Sequence, residues 1–420
     1  MKKSINASII TIGDELLIGQ VIDTNSAWIA QELNKIGVWV KRRVAVGDVW
    51  DEIWGALEEE SKHADIILIT GGLGPTADDI TKPLLCKFFG GQMVWNEEVL
   101  EHVKNIFTKY INKPLLESNL KQAMVPDVCT VLQNKRGTAP GMWFEKEGKI
   151  FISMPGVPIE MKGIMADHVI PKLPSLFSLP SVVHRTLLTA GIGESFIAER
   201  IKEFEALLPL HIKLAYLPNF GLVRLRLTGI GDDKILLSKE MMEQFFILRF
   251  ILFDVLVSDQ DISLQEAIGN LLKTNKHTLS TAESCTGGYV AHLITSIAGS
   301  SAYYKGSIIS YDNSVKNELL NVANETLEQH GAVSEEVVMQ MAIHAKEKLH
   351  TDYSIAISGI MGPEGGTEEK PVGTVWIAVS GKKETTAKKF QLRFDRLKNI
   401  EVAGINALTF LWQTIKNDVK

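Results

Sequence analysis

The stretch TAESCTGGYV (281–290) sets a hydroxyl and a thiol side by side, Ser284 and Cys285, with Glu283 before them and Thr286, Gly287 and Gly288 after. HTLSTA (277–282) reads as a short apolar strand, and YVAHLITSIAG (289–299) carries apolar residues at helical spacing. ESCTGG therefore falls on a strand-to-helix turn, where small residues let a ligand approach backbone N–H groups at a helix start. Such a place can stabilise an anion or an oxyanion. A serine there needs a base to become a nucleophile. His292 lies on the following helix and is no convincing partner. Tyr311 and Lys316, in SYDNSVKNELL (310–320) after the strand SIIS (307–310), are the other candidates. A lysine desolvated in a cleft loses its proton near neutral pH and can act as a general base, and a tyrosine can relay or position that proton. Ser–Lys pairs without histidine are a variant of the triad logic. Residue types alone favour the blander description of a solvated Lys316 and a surface Tyr311.

A second constellation lies in GGLGPTADDITK (71–82), between a buried strand and a helix. Gly71, Gly72 and Gly74, with Thr76, permit a tight turn and close backbone approach to phosphate. Asp78 and Asp79 sit near the helix start, where paired carboxylates can hold a divalent cation that offsets the charge of a diphosphate. The loops Gly13-Asp14-Glu15 and Gly47-Asp48 also leave the carboxyl ends of strands, the usual ligand crevice of an open α/β sheet. Either aspartate alone would read as a helix cap; three acidic loops at one sheet edge read as a site. The pattern is neither a P-loop nor G-x-G-x-x-G. PGVPIEM (155–161), with Glu160, reads as architecture.

The elements that must position these residues fall into three segments. Residues 1–170 alternate strands (7–13, 38–48, 65–72) with helices (24–37, 51–64), a βαβαβ order that predicts a parallel sheet covered by helices. IPKLPSLFSLPS, from about residue 170, reads as a linker. Residues 171–258 form a small α+β unit with helices over 193–208 and 233–250. In its strand LVRLRLTG (222–229), Arg224 and Arg226 share one face. Residues 259–420 are again α/β, with strands near 307–310, 353–359 and 369–383 and helices over 337–349 and 400–415.

The 420 residues, 45% hydrophobic and 22% charged, suit a soluble multi-domain chain. The net charge of −6 argues against a dedicated nucleic-acid binder. The most apolar run, FFILRFILFDVLV (245–257), contains Arg249 and Asp254 and does not read as a membrane span. The three cysteines, Cys86, Cys129 and Cys285, give neither metal spacing nor an even disulfide set, so a reducing, cytoplasmic setting is expected.

TIGDELLIGQVIDTNSAWIAQEL (11–33), TGGLGPTADD (70–79) and SMPGVPIEM (153–161) resemble the N-terminal domain of the CinA family, which is similar to molybdopterin-binding domains. The resemblance implies metal-dependent cleavage of ADP-ribose to AMP and ribose 5-phosphate. By position, Asp48 and Asp79 match the acidic pair of the molybdopterin relatives, and Asp78 extends it; with Glu15 these would be the cation ligands. TAESCTGG, GSSAYYKGSIISYDNSVK, HGAVSEEV, SGIMGPEGGTEEKPVGTVWIAV and FDR resemble the C-terminal CinA domain nearly throughout 259–415. That domain also occurs alone as nicotinamide-nucleotide amidase (PncC), which converts nicotinamide mononucleotide to nicotinate mononucleotide and ammonia. Its serine, tyrosine and lysine match Ser284, Tyr311 and Lys316, which reverses the blander description.

On that resemblance Lys316 would take the Ser284 proton, Tyr311 would assist, and N–H groups around Thr286, Gly287 and Gly288 would hold the oxyanion. Glu283, Thr286, Ser358 and Gly359 would contact substrate, and SGIMGPEGG (358–366) would receive phosphate or ribose. Arg396 would pair with the phosphate. The amidase needs no metal or cofactor. Cys285 becomes a small buried residue. The family's aspartate–arginine stretch usually reads GDR; here Phe394 replaces the glycine. The middle segment is similar to a KH-type fold, yet residues 171–258 hold no G-x-x-G loop of the kind that clamps nucleotides. A spacer or dimerisation role is expected, in a C2 homodimer. The function implied is a bifunctional pyridine-nucleotide recycling hydrolase. The alternatives are a non-catalytic, competence-associated nucleotide-binding protein and a molybdopterin-handling enzyme.

Overall fold

A computed structural model describes residues 5–76, 79–111 and 114–419, without the side chains of Tyr110 and Ile111. By its internal contacts the chain divides into two compact units, Met1–Val183 with Ile230–Ser238, and His184–Gly229 with Lys239–Lys420.

The first unit is built on β1 (Asn6–Ile12), β2 (Trp39–Val46), β3 (Ile66–Thr70), β4 (Met93–Trp95), β5 (Met124–Pro126), β6 (Thr130–Leu132), β7 (Gly141–Lys146) and β8 (Lys149–Met154). Six of these form one sheet in the order β2-β1-β3-β8-β7-β6, and β4 pairs with β5 separately. β1 and β3 are buried along almost their whole length, and are mostly apolar, because helices cover both faces. Successive side chains feed alternate cores. Ile9 and Leu68 pack with Ile29 and Leu33 of the helix Thr24–Lys35, while Ile10, Ile67 and Ile69 pack with Ile53 and Leu57 of the helix Trp50–His63. The expected parallel sheet is the core of this unit: β2, β1, β3 and β8 run parallel. Its far edge differs, since β7 and β6 are antiparallel additions. The expected linker is also corrected. Ile170–Leu176 is helical, continues directly from helical residues 158–169 in spite of Pro171 and Pro174, and buries Leu173; Phe177 and Leu179 pack on the same core.

In the second unit β9 (Ser181–Ala190), β10 (Ile212–Asn219), β11 (Leu222–Gly231) and β12 (Leu256–Ser258) make a sheet ordered β10-β11-β9-β12. Val223, Leu225 and Leu227 point to the buried face of β11, so Arg224 and Arg226 lie on the opposite face, as the alternation predicts. The single helix expected over 193–208 is two, Glu194–Arg200 and Lys202–Ala206, because Ile201 leaves helical geometry (φ −108°, ψ 11°) while its side chain is fully buried.

The remaining sheet, β14-β13-β15-β16-β17, comprises β13 (Leu279–Glu283), β14 (Tyr304–Ile309), β15 (Tyr353–Gly359), β16 (Thr374–Ser380) and β17 (Thr385–Gln391). β13 runs parallel to both neighbours and is buried throughout. Ala282, Ala356 and Ala378 stand in register on one face, a stripe of small residues on which the helix Glu335–Lys348 packs through Val338, Met341 and Ala342. The other face carries Leu279, Ile355, Ile357 and Ile377 against Leu408 and Leu411 of the helix Arg396–Val419. Leu188 and Ala190 of β9 belong to that same core. Among the described residues no helix is long and apolar enough to cross a membrane.

Candidate functional site

The turn after β13 is organised by Glu283. Its side chain is fully buried, and its carboxylate accepts from Thr286 Oγ1 (2.7 Å), Gly288 N (3.1 Å), Val290 N (3.0 Å) and Ala291 N (2.8 Å). Gly287 (φ 59°) and Gly288 (φ 98°) take left-handed conformations that wrap the chain around it. Orphan N–H groups at the start of the helix Tyr289–Thr295 are thus satisfied from within the protein. This corrects three expectations: Glu283 and the Thr286 hydroxyl build the turn, and the Gly288 amide is not open to an oxyanion. The Gly287 amide is also engaged, with Ser284 O at 3.1 Å. Among the described residues the Thr286 amide has no hydrogen-bond partner, so it is the N–H left of the three.

Ser284 follows directly, anchored by its amide to Ile357 O on β15 at 3.0 Å. Cys285 is buried, and burial pushes its thiol up to about 12, so it stays protonated at neutral pH. The end of β14 is tied to the same point, since Ser310 N donates to Glu283 O at 2.8 Å. Lys316 comes from the helix Asn313–Leu320, capped by Asp312 through Ser314 N. It is 1% exposed, and its Nζ donates to Ser310 O (2.9 Å) and Tyr311 O (3.2 Å). Burial lowers its pKa below the ordinary lysine range, while Asp312 and Cys285 oppose that shift. The Ser310 and Tyr311 carbonyls that hold Lys316 thus follow a strand end bonded directly to the turn after β13.

Tyr311 is 61% exposed, and its hydroxyl accepts from Arg396 Nη2 at 3.0 Å. Arg396 Nη1 donates to Gly362 O at 2.7 Å, so this side chain bridges the loop after β14 to the glycine-rich loop after β15. The structure therefore gathers Ser284, Lys316, Tyr311, Arg396 and the 360–366 loop at the carboxyl ends of β13, β14 and β15, the crevice expected of an α/β sheet. Two expected contacts do not face it freely. Ser358 Oγ donates to Ala332 O at 2.7 Å, and Gly359 lies so close to β16 that a Cβ there would meet Thr374 O at 2.8 Å. Asn399, which the residue pattern did not single out, is fully buried and joins the loops: its Nδ2 donates to Met361 O (3.1 Å) and Phe394 O (2.8 Å).

In the first unit the loop after β3 needs its glycines. A Cβ on Gly71 (φ 118°) would stand 2.2 Å from Ile12 O, and one on Gly72 would strike the Thr81 hydroxyl at 2.1 Å. Asp79 knits the loop internally, accepting Gly74 N (2.7 Å), Thr76 N (2.8 Å) and the Thr76 hydroxyl. Asp78 lies outside the described residues. Asp14 and Asp48 meet across the ends of β1 and β2, each carboxylate accepting the other's amide at 3.2 Å. The Glu15 carboxylate lies against Gly13, where a Cβ would come within 2.5 Å of Oε1. Among the described residues no three His, Cys, Asp or Glu side chains converge as a metal cluster. Asn25, also missed, donates to Thr70 Oγ1 (3.2 Å) and Gly156 O (2.7 Å), while its Oδ1 is buried without a hydrogen-bond partner. Its sequence signal was its place in the first turn of a helix that starts at the same sheet edge. Glu160, bonded by Asn134 Nδ2 at 2.6 Å, is architectural, as expected.

Three domain profiles match the chain: a probable molybdopterin binding domain over residues 8–175, the damage-inducible protein CinA KH domain over 184–245, and the CinA C-terminal domain over 261–415. A CinA-like protein of Cytophaga hutchinsonii is 47% identical over 418 residues, 99% of each chain. A putative competence-damage inducible protein of Caldicellulosiruptor saccharolyticus is 38% identical over 416 residues, 98% of this chain and 99% of its own. Among solved structures, the competence/damage inducible protein CihA of Agrobacterium tumefaciens matches 35% of this chain and 91% of its own, at 35% identity and a TM-score of 0.35. With near-complete coverage at such identity, the chain belongs to the CinA family.

Proposed function

We propose that the C-terminal half hydrolyses the carboxamide of nicotinamide mononucleotide, giving nicotinate mononucleotide and ammonia. The observation that carries the reading is the buried Lys316, its pKa lowered by burial and its Nζ fixed on the two carbonyls that follow β14. As a free amine it takes the Ser284 hydroxyl proton while Oγ attacks the amide carbon. The Thr286 amide supports the resulting oxyanion. The proton passes from Lys316 to the departing nitrogen, ammonia leaves, and an ester on Ser284 remains. Water, deprotonated by the same amine, cleaves that ester to the carboxylate. Arg396 holds the nucleotide's phosphate, and Tyr311 orients Arg396. The test is ammonia release from nicotinamide mononucleotide by wild type and by Ser284→Ala. Release by wild type and none by the variant supports the reading. No release by wild type hands the domain to the alternative of a non-catalytic nucleotide-binding protein.

For the N-terminal unit we propose cleavage of ADP-ribose to AMP and ribose 5-phosphate. The supporting observation is Asn25, which ties the end of β3 to the loop after β8 and whose buried Oδ1 lacks a partner. A magnesium-like cation is held by one or two carboxylates plus substrate phosphates. The Asp14–Asp48 pair fits that requirement, and the cation would neutralise diphosphate charge. AMP release that is the same with and without divalent cations would remove the metal from this proposal. A homodimer is proposed for the assembly, with molar mass in solution as its measurement.

A further inference from the structure

The hairpin joining β10 to β11 is a two-residue turn, Phe220 and Gly221, closed by the pair Asn219 and Leu222. Both turn residues have positive φ, 42° and 79°. That geometry matches the twist of a hairpin, and glycine, asparagine or aspartate normally supply it. A phenylalanine in the left-handed region is uncommon, and such outliers point to function elsewhere. Gly191 N donates to Gly221 O at 3.0 Å, which fixes the turn against the end of β9.

The Phe220 ring lies on the segment that carries Arg396. It meets Phe394 edge-on, with ring centroids 5.5 Å apart and planes at 86°, and Lys398 Nζ stands 4.0 Å from its centroid. Phe394 and Lys398 flank Arg396, an exposed residue at the first position of its helix. The same segment is held from below by Asn399, which also accepts the Phe394 amide at 3.1 Å. Phe394 is the residue that stands where the family pattern has glycine, so this chain has a ring where Phe220 meets the segment edge-on.

We infer that Phe220 is a positioning residue for the C-terminal site. Through Phe394 and Lys398 it holds the start of the helix Arg396–Val419, so that Arg396 stays on Tyr311 and Gly362 and presents itself to the phosphate of a nucleotide amide. The middle segment thus supports substrate binding beyond any spacer role. This inference rests on the amidase reading for its kinetic readout and on backbone order for an independent one.

The test uses full-length wild type, Phe220→Gly and Phe220→Tyr. Glycine suits the left-handed turn, so the hairpin persists and only the ring is lost. The KM for nicotinamide mononucleotide should rise about fivefold to tenfold in Phe220→Gly, with kcat changed by less than about twofold. Phe220→Tyr should restore it. Amide exchange at Phe394, Lys398 and Asn399 should quicken about tenfold, with the Ser284 amide unchanged. In an active wild-type background, an unchanged KM overturns the inference whatever exchange shows. If wild type releases no ammonia, the amidase reading fails by itself, and exchange alone decides: faster exchange supports the clamp, and unchanged exchange overturns it.

Discussion

The loops after β3 and after β13 pose the same problem in two units. Each turns from a buried strand into a helix through glycines, and each carries an acid that looks available to a ligand. In both, the acid serves the loop itself: Asp79 accepts two amides and a hydroxyl at a partly solvated surface, and Glu283 accepts three amides and two hydroxyls in full burial. The difference lies in what remains beside the acid. After β13 the buried amine of Lys316 is tied to Ser310 O, at the end of a strand bonded to the same turn; after β3 the neighbouring lysine, Lys82, is buried with its Nζ on Gln122 O at 2.7 Å, within the packing of the loop. A carboxylate at a strand-to-helix turn is therefore poor evidence of ligand binding, and a buried amine held on backbone carbonyls at the same sheet edge is better evidence of chemistry.

The largest test of that contrast is Lys316→Met. Loss of the base should lower kcat for ammonia release by roughly a thousandfold. Lys316→Arg should not rescue it, because a guanidinium does not give up its proton. The wild-type rate should rise with pH and level off below the ordinary lysine range, since the neutral amine is the active form and burial lowers its pKa. A flat pH profile would take Lys316 out of the base role.

The next test compares the two acids by urea denaturation. Glu283→Ala leaves buried amides without an acceptor and should destabilise the C-terminal unit by about 3 kcal/mol. Asp79→Ala exposes loop amides to water and should cost about 1 kcal/mol. Equal losses would show that burial is not what separates the two loops.

A smaller effect concerns Lys82, whose pKa burial lowers to about 8 against an ordinary 10.5, with Asp79 opposing. Below about 8 the fold carries the full penalty of a buried charge. As pH rises from there toward 10.5 the unfolded chain binds more protons than the fold, so stability increases. Lys82→Met should remove that pH dependence, read as a wild-type-minus-variant urea midpoint that climbs across this window. The smallest effect expected is that of Cys285→Ala. Its thiol titrates only near 12, so ammonia release should change by less than about twofold.

Short runs rich in apolar and β-branched residues made β1, β3, β13 and β15 legible, because strands buried on both faces carry few charges, and the strand-to-helix change after β13 placed Ser284 on a turn. The role of Glu283 was not legible. Ordinary capping is by Ser, Thr, Asp or Asn immediately before a helix, whereas Glu283 reaches amides five to eight positions ahead by burying itself under the turn. Asn25 and Asn399 were hidden for a related reason: one polar residue in a helix looks like any other until tertiary partners such as Gly156 and Met361 are known. The antiparallel β7 and β6 follow no crossover helix, so the strand–helix alternation could not announce them.

Lys316 carries one last consequence. An uncharged amine owns two hydrogens, and two backbone oxygens, of Ser310 and Tyr311, wait for them. Once deprotonated, the nitrogen keeps both tethers, and its lone pair has a single direction left to point. On the amidase reading, proton traffic at this centre would be aimed by main-chain atoms that no side-chain substitution can delete.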